Sequence, residues 1–168
     1  MKTLHLLRHA KSSWKDTQLN DIDRPLSQRG EKACRIVGKY LNNISIENAL
    51  VLLSPAKRAQ QTWTLIEPHL TQLPMQCHTR DALYTFDAQQ LKRVISSIEI
   101  TVAEVIIVGH NPAISDLICL LTQRSMVHVP TCSFVTLTSD IRDWRQAKGA
   151  TFELANMATP KLLKTLSS

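Results

Sequence analysis

Two arginines and two histidines stand where apolar runs give way to polar turns: Arg8-His9 after residues 4–7, Arg58 within residues 54–62, and His110 after residues 102–108. A planar guanidinium presents paired N–H donors that match the oxygens of a phosphoryl group. A neutral imidazole is a competent nucleophile toward phosphorus near neutral pH. A second imidazole beside it, if protonated, would offset charge on the equatorial oxygens. The four residues together point to phosphoryl transfer onto a histidine, followed by hydrolysis. The arginines and the second histidine would supply the charge compensation, so neither a metal nor another cofactor is expected. Taken singly, each has an ordinary alternative. Arg8 is also a solvating strand end, Arg58 a surface cation at a helix start, and His110 a loop residue bonded to backbone.

A parallel sheet would bring the three junctions together, because the carboxyl ends of its strands share one edge. The sequence reads that way. A first strand ends at Arg8-His9 and runs into a polar loop, residues 12–25, with Trp14 as its large apolar anchor. Ser27 is a plausible N-cap for an amphipathic helix over 28–43, with Ala33, Ile36, Val37, Tyr40 and Leu41 at helical spacing. Residues 49–53 are wholly apolar, as a central parallel strand should be. Ser54-Pro55 then reads as cap plus proline for a helix with Ala59, Thr62, Trp63 and Ile66 on one face, ending near Pro68 or Pro74. Arg58 would lie in that helix's first turn, where free N–H groups already favour an anion.

Further on, residues 75–83 suit a short strand and residues 87–98 a helix, with Leu91, Val94, Ile95 and Ile98 inward. Residues 102–108 are the strongest strand in the chain, and Asn111-Pro112 repeats the cap-plus-proline signal for a helix through Leu121. Two late strands, 133–138 and 151–156, flank a turn containing Trp144, and Thr159-Pro160 opens a short final helix. Strands alternating with helices give an α/β fold: a three-layer α/β/α sandwich around a mostly parallel central sheet with an antiparallel edge. Residues 1–168 read as a single domain, without repeat or linker.

Composition narrows the function classes. The 168 residues are 43% hydrophobic, enough for a core, yet no segment approaches the roughly 18 apolar residues of a membrane span. The apolar run of MKTLHLLRHA stops at Arg8, too early for a secretory leader, so a cytoplasmic location is expected. Cys34, Cys77, Cys119 and Cys132 lie far apart without a C-x-x-C pair and read as free thiols, buried except for Cys77. The six histidines show no metal-binding spacing,. The net charge of +6 favours an acidic or phosphate-bearing partner. The absence of a basic run with interleaved aromatics argues against nucleic acid.

The same residues carry a resemblance to the histidine phosphatase superfamily, the group with a phosphoglycerate mutase-like fold. Arg8-His9-Ala10 matches its R-H-G element, and Ser54-Pro55-Ala56-Lys57-Arg58-Ala59-Gln60-Gln61-Thr62 its S-P-x-x-R-A-x-Q-T element. Gly109-His110 matches its late G-H, and Asp23-Arg24-Pro25-Leu26-Ser27-Gln28-Arg29-Gly30 resembles its D-R-P-L-[ST]-x-x-G segment. The match runs in order over residues 3–122. The short chain, without room for an inserted helical subdomain, is similar to the SixA branch, which acts on phosphohistidine in histidine-containing phosphotransfer domains. The resemblance implies that His9 is the phosphorylated nucleophile, Arg8 and Arg58 the phosphate clamps and His110 the second pocket histidine. It also places Ser12, Lys15 and Asn111 among substrate-binding positions, with Lys15 where relatives carry asparagine.

Two departures stand out. Ala10 replaces the motif glycine, and no convincing acid is in place to protonate a leaving group, with Asp81 and then Asp87 as the candidates. An alkoxide leaving from a phosphomonoester needs a proton from a side chain. An imidazole leaving from a phosphoramidate can carry its own. The missing acid therefore favours a phosphorylated protein bearing phosphohistidine over a small phosphorylated metabolite, and a non-catalytic phosphate-binding module is the third reading.

Overall fold

The computed structural model describes residues 1–70 and 76–166. Six strands form one sheet: β1 (Lys2–Arg8), β2 (Leu50–Leu53), β3 (Cys77–Thr79), β4 (Glu104–Gly109), β5 (Phe134–Ser139) and β6 (Glu153–Ala158), in the order β3-β2-β4-β1-β5-β6. The four on the β3 side run parallel, while β5 is antiparallel to both β1 and β6. The five helices are α1 (Gln28–Leu41), α2 (Lys57–Ile66), α3 (Ala88–Ser96), α4 (Ala113–Thr122) and α5 (Pro160–Leu166).

The central strands are apolar on both faces because both faces are covered. Leu4, Leu6, Leu52, Val105 and Ile107 pack with residues of α3 and α4 and with Trp144. Leu7, Val51, Leu53, Ile106 and Val108 pack with residues of α1, α2 and α5 on the other side. The expected three-layer α/β/α sandwich with an antiparallel edge is what forms. Most element ends fall within two residues of those predicted. The strand expected over 75–83 is only Cys77–Thr79, followed by a 3-10 turn at Asp81–Leu83, and Met75 and Pro74 lie outside the described residues. Among the described residues no helix is long and apolar enough to cross a membrane.

Two helix starts differ from expectation. Ser54 is not the N-cap of α2, which begins at Lys57 behind Ala56; its hydroxyl accepts from the Ala56 N–H at 3.3 Å and bonds His110, just past the neighbouring strand, at 2.7 Å. Asn111 does not cap α4, whose cap is Pro112; its side-chain amide instead donates to the Val129 carbonyl at 3.2 Å. Trp14 is no core anchor either. It is 72% exposed, and its ring lies 3.5 Å from the Arg24 guanidinium carbon in a cation-π stack. The four cysteines are free, and Cys34 and Cys132 are buried, but Cys119 is only half-buried.

β1 and β4 lie side by side, and their chains leave in opposite directions, β1 to α1 on one face and β4 to α4 on the other. That is the switch point at which open α/β sheets keep their ligand crevice. Register does the rest: Arg8 pairs with Gly109, so His9 and His110 emerge together. Leu53 pairs with Val108, which delivers Ser54 to the same edge.

Candidate active site

Helix α2 holds the crevice together through residues spaced around its first turns. Gln60 donates to the Ser54 carbonyl at 2.6 Å, and the Gln61 side-chain oxygen accepts from the Leu26 N–H at 2.8 Å. The buried Thr62 hydroxyl donates to the Arg58 carbonyl at 2.6 Å and accepts from the Ala10 N–H at 2.9 Å. One helix thus fixes the strand end carrying Ser54, the polar loop and the backbone beside His9. Gly30 locks the same backbone from α1: a Cβ there would stand 2.3 Å from the Lys11 carbonyl oxygen. That oxygen also accepts from the Ser27 N–H and hydroxyl. Ala10 is accommodated where the motif has glycine. It is fully buried among apolar neighbours and is not among the residues with a left-handed backbone.

His9 donates from Nδ1 to the Ala10 carbonyl at 2.8 Å, so its Nε2 carries the lone pair, which accepts from the Arg58 Nε at 3.3 Å. The Arg58 Nη2 lies 3.3 Å from His110 Nδ1. A guanidinium has only donors, so His110 Nδ1 accepts, and its Nε2–H donates to Ser54. The two imidazole centroids are 5.1 Å apart. Burial is the main cause that pushes His9 down to about 4, with the Arg58, Arg8 and Arg24 charges adding to it and the Ala10 carbonyl opposing. Burial, then the charges of His9 and Arg58, push His110 down to about 3, with Asp21 opposing. Both rings are therefore neutral at pH 7, the form in which Nε2 of His9 is nucleophilic.

Arg58 is only 2% exposed, and a cation so buried needs a counter-charge. Asp21 supplies it. Its carboxylate accepts from Arg58 Nη2 at 2.9 Å, its backbone carbonyl from Nη1 at 2.6 Å, and its other oxygen from Arg24 at 3.0 Å. The Tyr84 hydroxyl donates to the same carboxylate at 2.6 Å. Desolvation raises the Asp21 pKa, but Tyr84, Arg58 and Arg24 together outweigh it and hold the group below the usual carboxylate range. The Tyr84 ring meets His110 edge-on at 5.5 Å, and Phe86 lies 5.7 Å away.

Arg8 donates from Nη1 to the Val129 carbonyl at 2.7 Å, the acceptor it shares with Asn111. Among the described residues, Arg8 Nε, Arg24 Nη1 and the Asn111 side-chain oxygen are buried without a partner. Unpaired buried donors are costly, and both arginines stand close enough to His9 for their charges to act on it.

Of the positions expected to form a site, Arg8, His9, Arg58, His110 and Asn111 meet here. Ser12 is buried and bridges Leu26, while Lys15 is an exposed loop residue. The Asp87 carboxylate caps α3 by accepting from the Gln89 N–H at 2.9 Å, and Asp81, itself exposed, opens the 3-10 turn that buries Leu83. Sequence reasoning missed Asp21, Tyr84 and Phe86 and the positioning work of Thr62. Only Asp21 left a trace, three residues before the arginine of the D-R-P-L segment.

A crevice of paired arginines and histidines at the switch point of such a sheet defines the phosphoglycerate mutase-like class of phosphoryl-transfer folds. The chain belongs to the histidine phosphatase superfamily, branch 1, whose family model matches residues 4–91. It is accordingly a phosphatase, a hydrolase of phosphorylated substrates. The structure assigned to phosphohistidine phosphatase SixA of Nakamurella multipartitia superposes with a TM-score of 0.81, over 95% of this chain and 96% of that one, at 25% identity. The protein histidine phosphatase SixA solved with tungstate gives 0.80 over 96% and 99% at 21% identity. An Escherichia coli K-12 protein assigned as an alpha-ribazole-5'-P phosphatase gives 0.69 over 95% and 98% at 18% identity. An uncharacterized chloroplastic protein of Arabidopsis thaliana is 28% identical over 87% of this chain and 70% of its own length.

Proposed function

We propose that the protein is a phosphohistidine phosphatase that uses His9 as nucleophile and acts on a phosphorylated signalling or phosphotransfer protein. The observation that carries this reading is Asp21. It is the carboxylate bonded to the crevice's arginines, and it is held ionised by Tyr84, Arg58 and Arg24, so it has no proton to give a leaving group. A phosphohistidine protonated at its other ring nitrogen needs none, because its imidazole departs neutral. His9 Nε2 attacks phosphorus as the substrate's N–P bond breaks. The Nδ1–H bond to Ala10 steadies the positive ring that results. Water then attacks phosphorus, the bond to His9 breaks, and orthophosphate leaves with the water's protons.

Arg8 and Arg58 grip the equatorial oxygens. His110, neutral beside the arginines, gains proton affinity once a dianion adjoins it and donates from Nδ1. The likeness to SixA structures supports this substrate class. The test is phosphate release from a phosphorylated histidine phosphotransfer domain and, in parallel, from para-nitrophenyl phosphate, by wild type and His9→Asn. Preferential release from the phosphoprotein, lost by about 10³-fold or more in His9→Asn, is expected. A preference for the ester would overturn the substrate assignment and favour a small phosphorylated metabolite.

A further inference from the structure

A groove of about 530 Å³ opens between the loop after β1, the start of α1 and the start of α5. Lys11 from the loop after β1, Arg29 and Lys32 from the first turns of α1, and Lys161 and Lys164 from α5 line it, and among the described residues no carboxylate does. Lys11, Arg29, Lys32 and Lys161 are all exposed, and none is in an ion pair among the described residues.

The topology places this groove on the active-site edge. β6 and β1 are each antiparallel to β5, so α5 starts at the sheet edge from which His9 emerges. Lys11 is two residues beyond His9. Thr131, on the groove wall, adjoins Cys132, whose N–H bonds the Arg8 and His9 carbonyls.

Crowding like charges raises the energy of the folded chain, and among the described residues no carboxylate lines the groove beside Lys11, Arg29, Lys32 and Lys161. A partner of opposite sign would supply one. The cations stand on long, exposed side chains drawn from the loop after β1, from α1 and from α5. Such an array suits a surface with several negative charges. Around the mouth, Trp14 is 72% and Phe86 49% exposed, with the Phe86 ring against His110. Exposed aromatics of this kind anchor protein interfaces.

We infer that this groove docks an acidic face of the phosphoprotein substrate and so delivers its phosphohistidine to His9. The inference rests on the phosphohistidine reading above. It assigns the excess positive charge a partner: a folded protein with carboxylates flanking its phosphorylated histidine.

The test is the full chain carrying Arg29→Glu, Lys32→Glu and Lys161→Glu. The probes are an acidic histidine phosphotransfer domain phosphorylated with phosphoramidate, free phosphohistidine and para-nitrophenyl phosphate. Against the phosphoprotein at low salt, kcat/KM should fall about 10- to 100-fold, and the gap should close at about 0.3 M salt as screening sets in. Turnover of both small substrates should stay within about twofold of wild type, which also reports that the variant is folded. A variant equal to wild type on the phosphoprotein at low salt, or one losing activity on all three probes alike, would overturn the groove's role. A wild type that hydrolyses the ester but not the phosphoprotein would instead remove the substrate reading, and the docking inference with it.

Discussion

Acidification should destabilise this protein by charging the two crevice imidazoles. His9 and His110 are pushed down to about 4 and about 3 in the folded chain, against about 6.5 for an unfolded histidine. The folded values lie below the unfolded ones, so the unfolded state takes up protons first. The stability tied to the neutral rings is complete above about pH 6.5 and is lost as pH falls toward the folded values. At about 1.4 kcal/mol per unit, each ring forfeits about 2 kcal/mol by about pH 5. The two repel when both are charged, so they titrate as a coupled pair. Urea unfolding, followed through the buried Trp63 and Trp144, reads the effect at about pH 7.5 and about pH 5, a window above most carboxylate titrations. His110→Gln removes one of the two groups, and its loss of stability over that window should be smaller than wild type's by about 2 kcal/mol. Equal losses in the two proteins would refute the argument, as would NMR midpoints for His9 and His110 near 6.5.

Two further substitutions probe the supports of the crevice. Gly30→Ala drives a Cβ into the Lys11 carbonyl at 2.3 Å. The backbone beside His9 must move, and stability should fall by about 1–3 kcal/mol together with kcat; an unchanged melting temperature would count against that lock. Asp21→Asn removes the counter-charge of the buried Arg58 at 2.9 Å. Stability should fall by on the order of 1 kcal/mol, discounted because the carboxylate is half exposed. Orthophosphate should inhibit severalfold more strongly, since it no longer competes with a carboxylate; weaker inhibition would show that Asp21 acts only by positioning Arg58.

The residues legible in the sequence were those whose type carries the chemistry and whose place follows from strand order. Arg8, His9, Arg58 and His110 sit at ends of apolar runs, and a parallel sheet has one edge to put them on. Asp21 was illegible because the loop 12–25 offers Asp16, Asp21 and Asp23 alike, and only the folded loop brings one of them to Arg58. Ser54 was misread for a related reason. A serine before proline has a local use as a cap, and nothing local announces an imidazole 56 residues later that takes its hydroxyl at 2.7 Å. Trp14 likewise reads as core until the fold lays it on Arg24. Local pattern locates elements well, and it is silent on polar partners that meet only across the sheet.

The carboxylate resting on Arg58 also bears on how turnover ends. A crevice built to grip phosphoryl oxygens is prone to holding its product, and each cycle then waits for orthophosphate to escape. Asp21 competes for the same guanidinium from within the chain, and its tether keeps it always at hand. Phosphate would take the Arg58 Nη2 donor only by displacing the carboxylate that accepts from it at 2.9 Å. On the proposed mechanism, the contact that weakens the first grip on substrate would also shorten the stay of the product on Arg58.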